Sequence, residues 1–363
     1  MRILDVYIIK ELIKPFLFGV FAFSSVFIGG GTLWRIAQYV SKYGASFWIA
    51  AKLFLYSLPA VVVLTVPMAM LLASLLCFGR LSGQSEITAI KASGQSFFRL
   101  ALPVFITAFF IASGAVVFNE TVVPASTAAY NYLIRSEIER NTQPKTQEHV
   151  VMVDTEGSGV RFTYARKFDQ NTSSMQNVTI QEYDKDRLVR VQHAERAVWQ
   201  DNRWVMYAGV INDLSDESER TLYFQQQNMP VTKAPGEIAL EQKKPEEMTI
   251  KELKQRIKML EQVDDKASGL VRNSLAVELY QRLSIPLATF VFALIGSPLG
   301  LSPHRSSASI GFSLSILIIF VYYALMTAMT TMGQSGKIPA LAAAWIPNIA
   351  ALIAGIWLVY REG

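Results

Sequence analysis

A single cysteine, Cys77, leaves the 363-residue chain unable to form an intrachain disulfide, so any exported part must hold itself together by packing. Cys77 lies inside an apolar run, where a small buried filler is its ordinary role. The three histidines, His149, His193 and His304, are too far apart for metal-ligand spacing. No G-x-x-x-x-G-K-S/T loop is present to cradle a nucleotide's phosphates. Nor does any nucleophile stand beside a base, or any carboxylate pair mark an enclosed site. The sequence therefore carries no expected catalytic residue, metal ligand or cofactor of its own.

Charge is missing in a patterned way. Asp, Glu, Lys and Arg are absent from Pro15 to Trp34, Leu53 to Gly79, Leu100 to Asn119, Leu283 to Pro303, Ser306 to Gly336 and Ile338 to Tyr360. At 1.5 Å rise per residue, about 20 apolar residues cross the hydrocarbon core of a bilayer, so all six runs are long enough to span. The first is too long for a secretory signal, lacks a small-residue cleavage site and reads as a retained span. An overall hydrophobic content of 51% is close to that of a soluble protein, because a polar insert between the third and fourth runs dilutes the six.

Lys and Arg in the short loops set the orientation. With the N-terminus inside, Arg2, Lys10, Lys14, Arg80, Lys91, Arg99, Arg305 and Arg361 lie on the cytoplasmic side, against Arg35, Lys42, Lys52 and Lys337 outside. Both termini are then cytoplasmic and the insert lies outside. The net charge of +5 follows from this topology and calls for no nucleic-acid partner.

Within the insert the hydrophobic period drops to two. The strand candidates are 150–153, 160–164, 178–183, 188–191, 197–199, 204–207 and 222–224. Turns are expected at 156–159, at 184–186 and at Asp201-Asn202. Seven or more short strands suggest an antiparallel sandwich, jelly roll or partly open barrel, whose inner apolar face is either a trough or the core of a packed structural domain. Beyond it, Ile250, Leu253, Ile257 and Leu260 share one face of an amphipathic helix that Thr249 can cap. The expected organisation is spans 1–3 over residues 1–122, the β-domain with its connecting helix over 123–270, and spans 4–6 over 271–363.

The loop between the second and third spans, Gly79 to Gly94, predicts a short helix at about 82–94. Ser82 or Gly83 would start it, Glu86 would sit in its first turn and Gly94 would end it. So short a helix is unstable alone and must rest on something. In the first span, Gly29-Gly30-Gly31 weakens the helix by roughly 1 kcal/mol per residue and marks either a flexible point or a closely packed seam.

The segment Ser85-Glu86-Ile87-Thr88-Ala89-Ile90-Lys91-Ala92-Ser93-Gly94 resembles the coupling segment of the LptF/LptG-type lipopolysaccharide export permeases. Glu278-Leu279-Tyr280-Gln281-Arg282-Leu283-Ser284-Ile285-Pro286-Leu287, Gly296-Ser297-Pro298-Leu299-Gly300, Gly333-Gln334-Ser335-Gly336 and Ala344-Trp345-Ile346-Pro347-Asn348 are similar to the family in the same order. The resemblance covers nearly the whole chain. It implies a permease subunit, with no ATPase site of its own, of an ATP-driven exporter that extracts lipopolysaccharide from the bacterial inner membrane. The partners implied are a second permease subunit, a cytoplasmic ABC ATPase dimer that uses the ATP, and a periplasmic bridge protein that takes lipid from a β-jelly roll. Glu86 would be the acid that couples to the ATPase. Arg35 and Lys42, beyond the outer end of the first span, would pair with lipid phosphates.

Two other classes compete. A membrane-anchored envelope scaffold has no need of six spans. An ion-coupled carrier ordinarily has an ionisable residue deep in a span, and the six runs have none.

Overall fold

The computed structural model describes residues 3–134, 146–156, 159–169, 172–184, 187–214, 220–231, 233–236, 238, 243–261, 266–301 and 308–362. The chain divides into two compact units, Met1–Arg140 with Pro245–Gly363, and Asn141–Lys244. The expected turn residues Gly157, Ser158, Lys185 and Asp186 and the histidine at 304 lie outside the described residues.

In the first unit, α1 (Ile3–Phe27) passes through a π-helical turn (Ile28–Thr32) into α2 (Leu33–Tyr43). The result is one helix of 41 residues. Next come α3 (Phe47–Gly83), the short α4 (Glu86–Ala92) and α5 (Phe97–Leu133). After the β-unit, α6 (Ile250–Leu260) precedes α7 (Lys266–Leu299), α8 (Ala308–Gln334) and α9 (Ala340–Glu362). Among the described residues, six helices are long and apolar enough to span a membrane, matching the six uncharged runs. Their prolines, such as Pro59 and Pro67 in α3, sit inside helices, as the surrounding helices of a bilayer bundle permit.

Hydroxyl caps fix three helix starts: Ser46 accepts from Ile49 N–H, Ser96 from Arg99 N–H, and Thr249 forms a reciprocal box with Glu252. The middle of α3 is buried on every side from Thr65 to Leu75, so α3 is the axis on which the others pack. Phe320, Val321 and Ile353 on α8 and α9 stay exposed, as suits helices with a lipid-facing side.

The second unit is one antiparallel sheet in sequential order. Its strands are β1 (Thr146–Glu156), β2 (Gly159–Asp169), β3 (Ser174–Asp184), β4 (Arg187–Gln200), β5 (Arg203–Asp213) and β6 (Arg220–Asn228). Among the described residues there are six long strands, where seven or more short ones were expected. The candidates 188–191 and 197–199 are the two ends of β4, because the polar residues between them continue the ladder instead of turning. The Asp201-Asn202 turn is as expected. Both residues have positive φ, 49° and 62°, which matches the right-handed twist of a two-residue hairpin.

One line of positions crosses the sheet where pairing lapses in every strand: His149, Arg166, Asn177, Glu195, Ala208 and Gln225. Asn177 and Ala208 hold φ of 48° and 50° there. Burial shifts phase by one residue across this crease, from Ala165 to Phe168, Val178 to Met175 and Ala194 to Ala197. Both halves of the sheet thereby turn the same face to one apolar core. The segment after β6 covers that face through Met229, Val231 and Ile238, and Trp204 Nε1 donates to Lys233 O at 2.8 Å. Farther along the same face runs a ladder of charges: Arg161 to Glu182 at 3.1 Å, Glu182 to Arg190 at 3.4 Å, and Arg190 to Asp213 at 3.0 Å. The face thus has an apolar end and a paired, polar end.

Candidate functional site

The short helix α4 starts later than the sequence suggests, because α3 runs on to Gly83 and Ser85 makes the turn at φ 58° without a side-chain cap. Gly94 follows the helix at φ 85°, the left-handed ending expected of it. Seven residues make less than two turns, so tertiary contacts must hold the helix. Ile87 is buried in the core between α1, α3 and α5. Lys91 Nζ donates to Glu362 O at 3.1 Å, and Ser82 Oγ, in the last turn of α3, donates to Leu301 O at 3.0 Å.

Glu86, half-buried at the start of α4, is part of a chain of polar contacts. Tyr7 OH on α1 donates to Glu86, 2.8 Å from Oε2 and 3.1 Å from Oε1. Arg80 Nη2 on α3 donates to that phenol oxygen at 3.2 Å and pairs with Glu11 Oε2 at 2.8 Å. Tyr7 and Glu11, four residues apart, share one face of α1. Two carboxylates and one guanidinium leave this cluster with one negative charge in excess. Beside it, Arg99 Nη1 pairs with Asp5 Oδ1 at 2.8 Å. Sequence reasoning found Glu86 but not Tyr7, Glu11 or Arg80, which lie 79, 75 and 6 residues away along the chain.

Arg35 and Lys42 are both exposed on α2. Seven residues is close to two helical turns, so they lie on one stripe. Ile36 packs inward against Leu53, Leu133 and Ile134, which fixes the helix and leaves that stripe outward. Lys42 Nζ stands 5.3 Å from the Tyr43 ring centre, a cation–π distance. The structure does not bring these residues near Glu86. Arg35 follows Tyr7 by 28 residues on one continuous helix, about 40 Å at 1.5 Å per residue.

The glycines at 29–31 coincide with the π turn, and a Cβ on any of them would meet nothing within 4 Å. Among the described residues they are an irregular, open point and not a packed seam.

A family model described as lipopolysaccharide export system permease LptF/LptG matches residues 6–361. The chain belongs to the LptF/LptG family. It is 19% identical over 371 residues to the lipopolysaccharide export system permease protein LptG of Haemophilus influenzae, covering 99% of this chain and 98% of that protein. As an LptF/LptG permease it is a multi-pass membrane subunit of lipopolysaccharide export.

Three of the stretches that resemble the LptF/LptG family acquire physical reasons in the structure. A Cβ at Gly296 would stand 2.9 Å from Leu71 O, and one at Gly300 2.7 Å from Phe78 Cβ and 2.9 Å from Leu75 O. These two glycines let α7 and the turn after it approach the backbone of α3. Asn348 Nδ2 donates to Ser284 O at 2.6 Å, while Asn348 Oδ1 accepts from Tyr322 OH at 2.7 Å. One buried amide thus ties α7, α8 and α9. Arg282 is the third, and here the uncharged runs mislead: α5 and α7 extend past them, and Arg282 lies buried at 6% exposure, 3.6 Å from Glu120.

Proposed function

We propose that the chain is the transmembrane permease subunit of an ATP-driven exporter that lifts lipopolysaccharide from the inner membrane and passes it to a periplasmic bridge protein. Both termini and α4 face the cytoplasm, and the β-unit faces the periplasm. A second permease subunit pairs with this one. A cytoplasmic ABC ATPase dimer binds below and hydrolyses the ATP, since this chain has no phosphate loop.

The observation that carries this reading is the docking of α4. Its start presents a half-buried carboxylate, Glu86, in a cluster with an excess negative charge, and its other contacts are Ile87 in the core of α1, α3 and α5 and Lys91 on the end of α9. A helix so tied passes a push at Glu86 to several spans. A partially desolvated carboxylate is also a strong site for a partner's guanidinium or ammonium. At the far end of the first span, Arg35 and Lys42 offer cations at the depth of lipid phosphates while their stems remain against apolar surface.

Glu86→Ala tests the coupling. The reading expects a chain that inserts and folds as wild type but retains less ATPase subunit on purification and exports less lipopolysaccharide. Full export by that variant rules the role out.

A further inference from the structure

We propose that Tyr7 is the positioning residue for Glu86, so that the first span and α4 move as one body when a partner's cation engages that carboxylate. This rests on the coupling role of Glu86 given above. A free glutamate side chain samples several rotamers, and ordering it at a contact costs up to about 2 kcal/mol. The Tyr7 hydroxyl removes much of that freedom beforehand. At 2.8 Å and 3.1 Å it sits against both carboxylate oxygens, occupying the edge between them and leaving the outer lone pairs for an incoming donor.

The hydroxyl is itself fixed. Its ring packs against the apolar core that includes Ile8, Ile87 and Phe97. Its oxygen accepts from Arg80 Nη2 at 3.2 Å, which polarises the O–H bond and strengthens its donation to Glu86. Glu11, one turn farther along α1, holds Arg80. A displacement of Glu86 therefore pulls on α1 through Tyr7, whose hydroxyl is braced in turn by Arg80 and, behind it, by Glu11 of the same helix. Along the same helix lies the π turn at Ile28–Thr32, where the hydrogen-bond ladder is already irregular and bending is easiest.

The test uses the complex purified with its ATPase from the native host, comparing Tyr7→Phe, Glu86→Gln and the double variant with wild type. The phenylalanine keeps the ring in the core and removes only the hydroxyl. Tyr7→Phe is expected to weaken retention of the ATPase subunit roughly three- to tenfold with the melting temperature unchanged, and to add nothing in the Glu86→Gln background. Weakened binding in Glu86→Gln with wild-type behaviour in Tyr7→Phe overturns the positioning role alone. Equal losses from Tyr7→Phe in both backgrounds overturn it too, because Tyr7 would then act through packing. Wild-type binding by Glu86→Gln removes the coupling reading and this inference together.

Discussion

Arg282 and Glu120 join α7 to α5 at 3.6 Å, with the guanidinium 6% exposed and the carboxylate about one-third exposed. Glu120 also accepts from Ile250 N–H at 2.8 Å, and Arg282 Nη2 donates to Pro245 O at 3.0 Å. The pair therefore pins the returning chain, at the start of α6, to the ends of two spans. Breaking a fully buried pair by removing one partner costs about 3–5 kcal/mol, and the cost here is smaller because the carboxylate left behind is partly exposed and keeps the Ile250 N–H. Arg282→Met is expected to lower the melting temperature in detergent by several degrees, and pairing it with Glu120→Met to recover part of the loss. A single variant that melts with wild type would show that the pair does not hold this junction.

Glycines at two places in the bundle should respond oppositely to alanine. At Gly300 a methyl group has no room against Phe78 and Leu75, and overpacking of this kind costs about 1–3 kcal/mol. At Gly29 and Gly30 nothing lies within 4 Å, and alanine favours helix by roughly 1 kcal/mol over glycine. Thermal unfolding of the purified chain should fall for Gly300→Ala and hold or rise for Gly29→Ala. The reverse order would contradict the packing described for α7 on α3.

The stripe on α2 gives a separate expectation. Arg35→Ala with Lys42→Ala removes two exposed cations and leaves the inward contacts of Ile36 intact. Photo-crosslinking from a probe on α2 to lipopolysaccharide should drop severalfold, while insertion and melting temperature stay at wild-type values. Undiminished crosslinking would leave these residues as interfacial anchors only.

Much of the fold was legible because its determinants are local. Runs without charge gave six spans, alternation placed the strands but split β4 into two, and Asp201-Asn202 gave a hairpin whose dihedrals need such residues. The short helix was visible through Glu86 and Gly94, but not its true start, since α3 continues through Gly83 against the turn signal of its glycines. The crease across the sheet was hidden, as Asn177 and Ala208 adopt positive φ for reasons shared by six strands. The partners of Glu86 were equally hidden, because Tyr7 reads as one more aromatic near an apolar run until α1 is laid beside α4. Arg282 was the hardest to place. One residue outside an uncharged run, it carries no local signal of burial, and only the packing of α5 and the Pro245–Ile250 segment around it makes it buried.

The most direct measurement is to purify the tagged chain from its native host in mild detergent and identify by mass spectrometry the proteins and lipids that remain with it. The account predicts an ABC ATPase subunit together with lipopolysaccharide, and loss of the ATPase when Glu86 is replaced by alanine. A folded preparation that carries neither would contradict the exporter reading and favour an envelope scaffold.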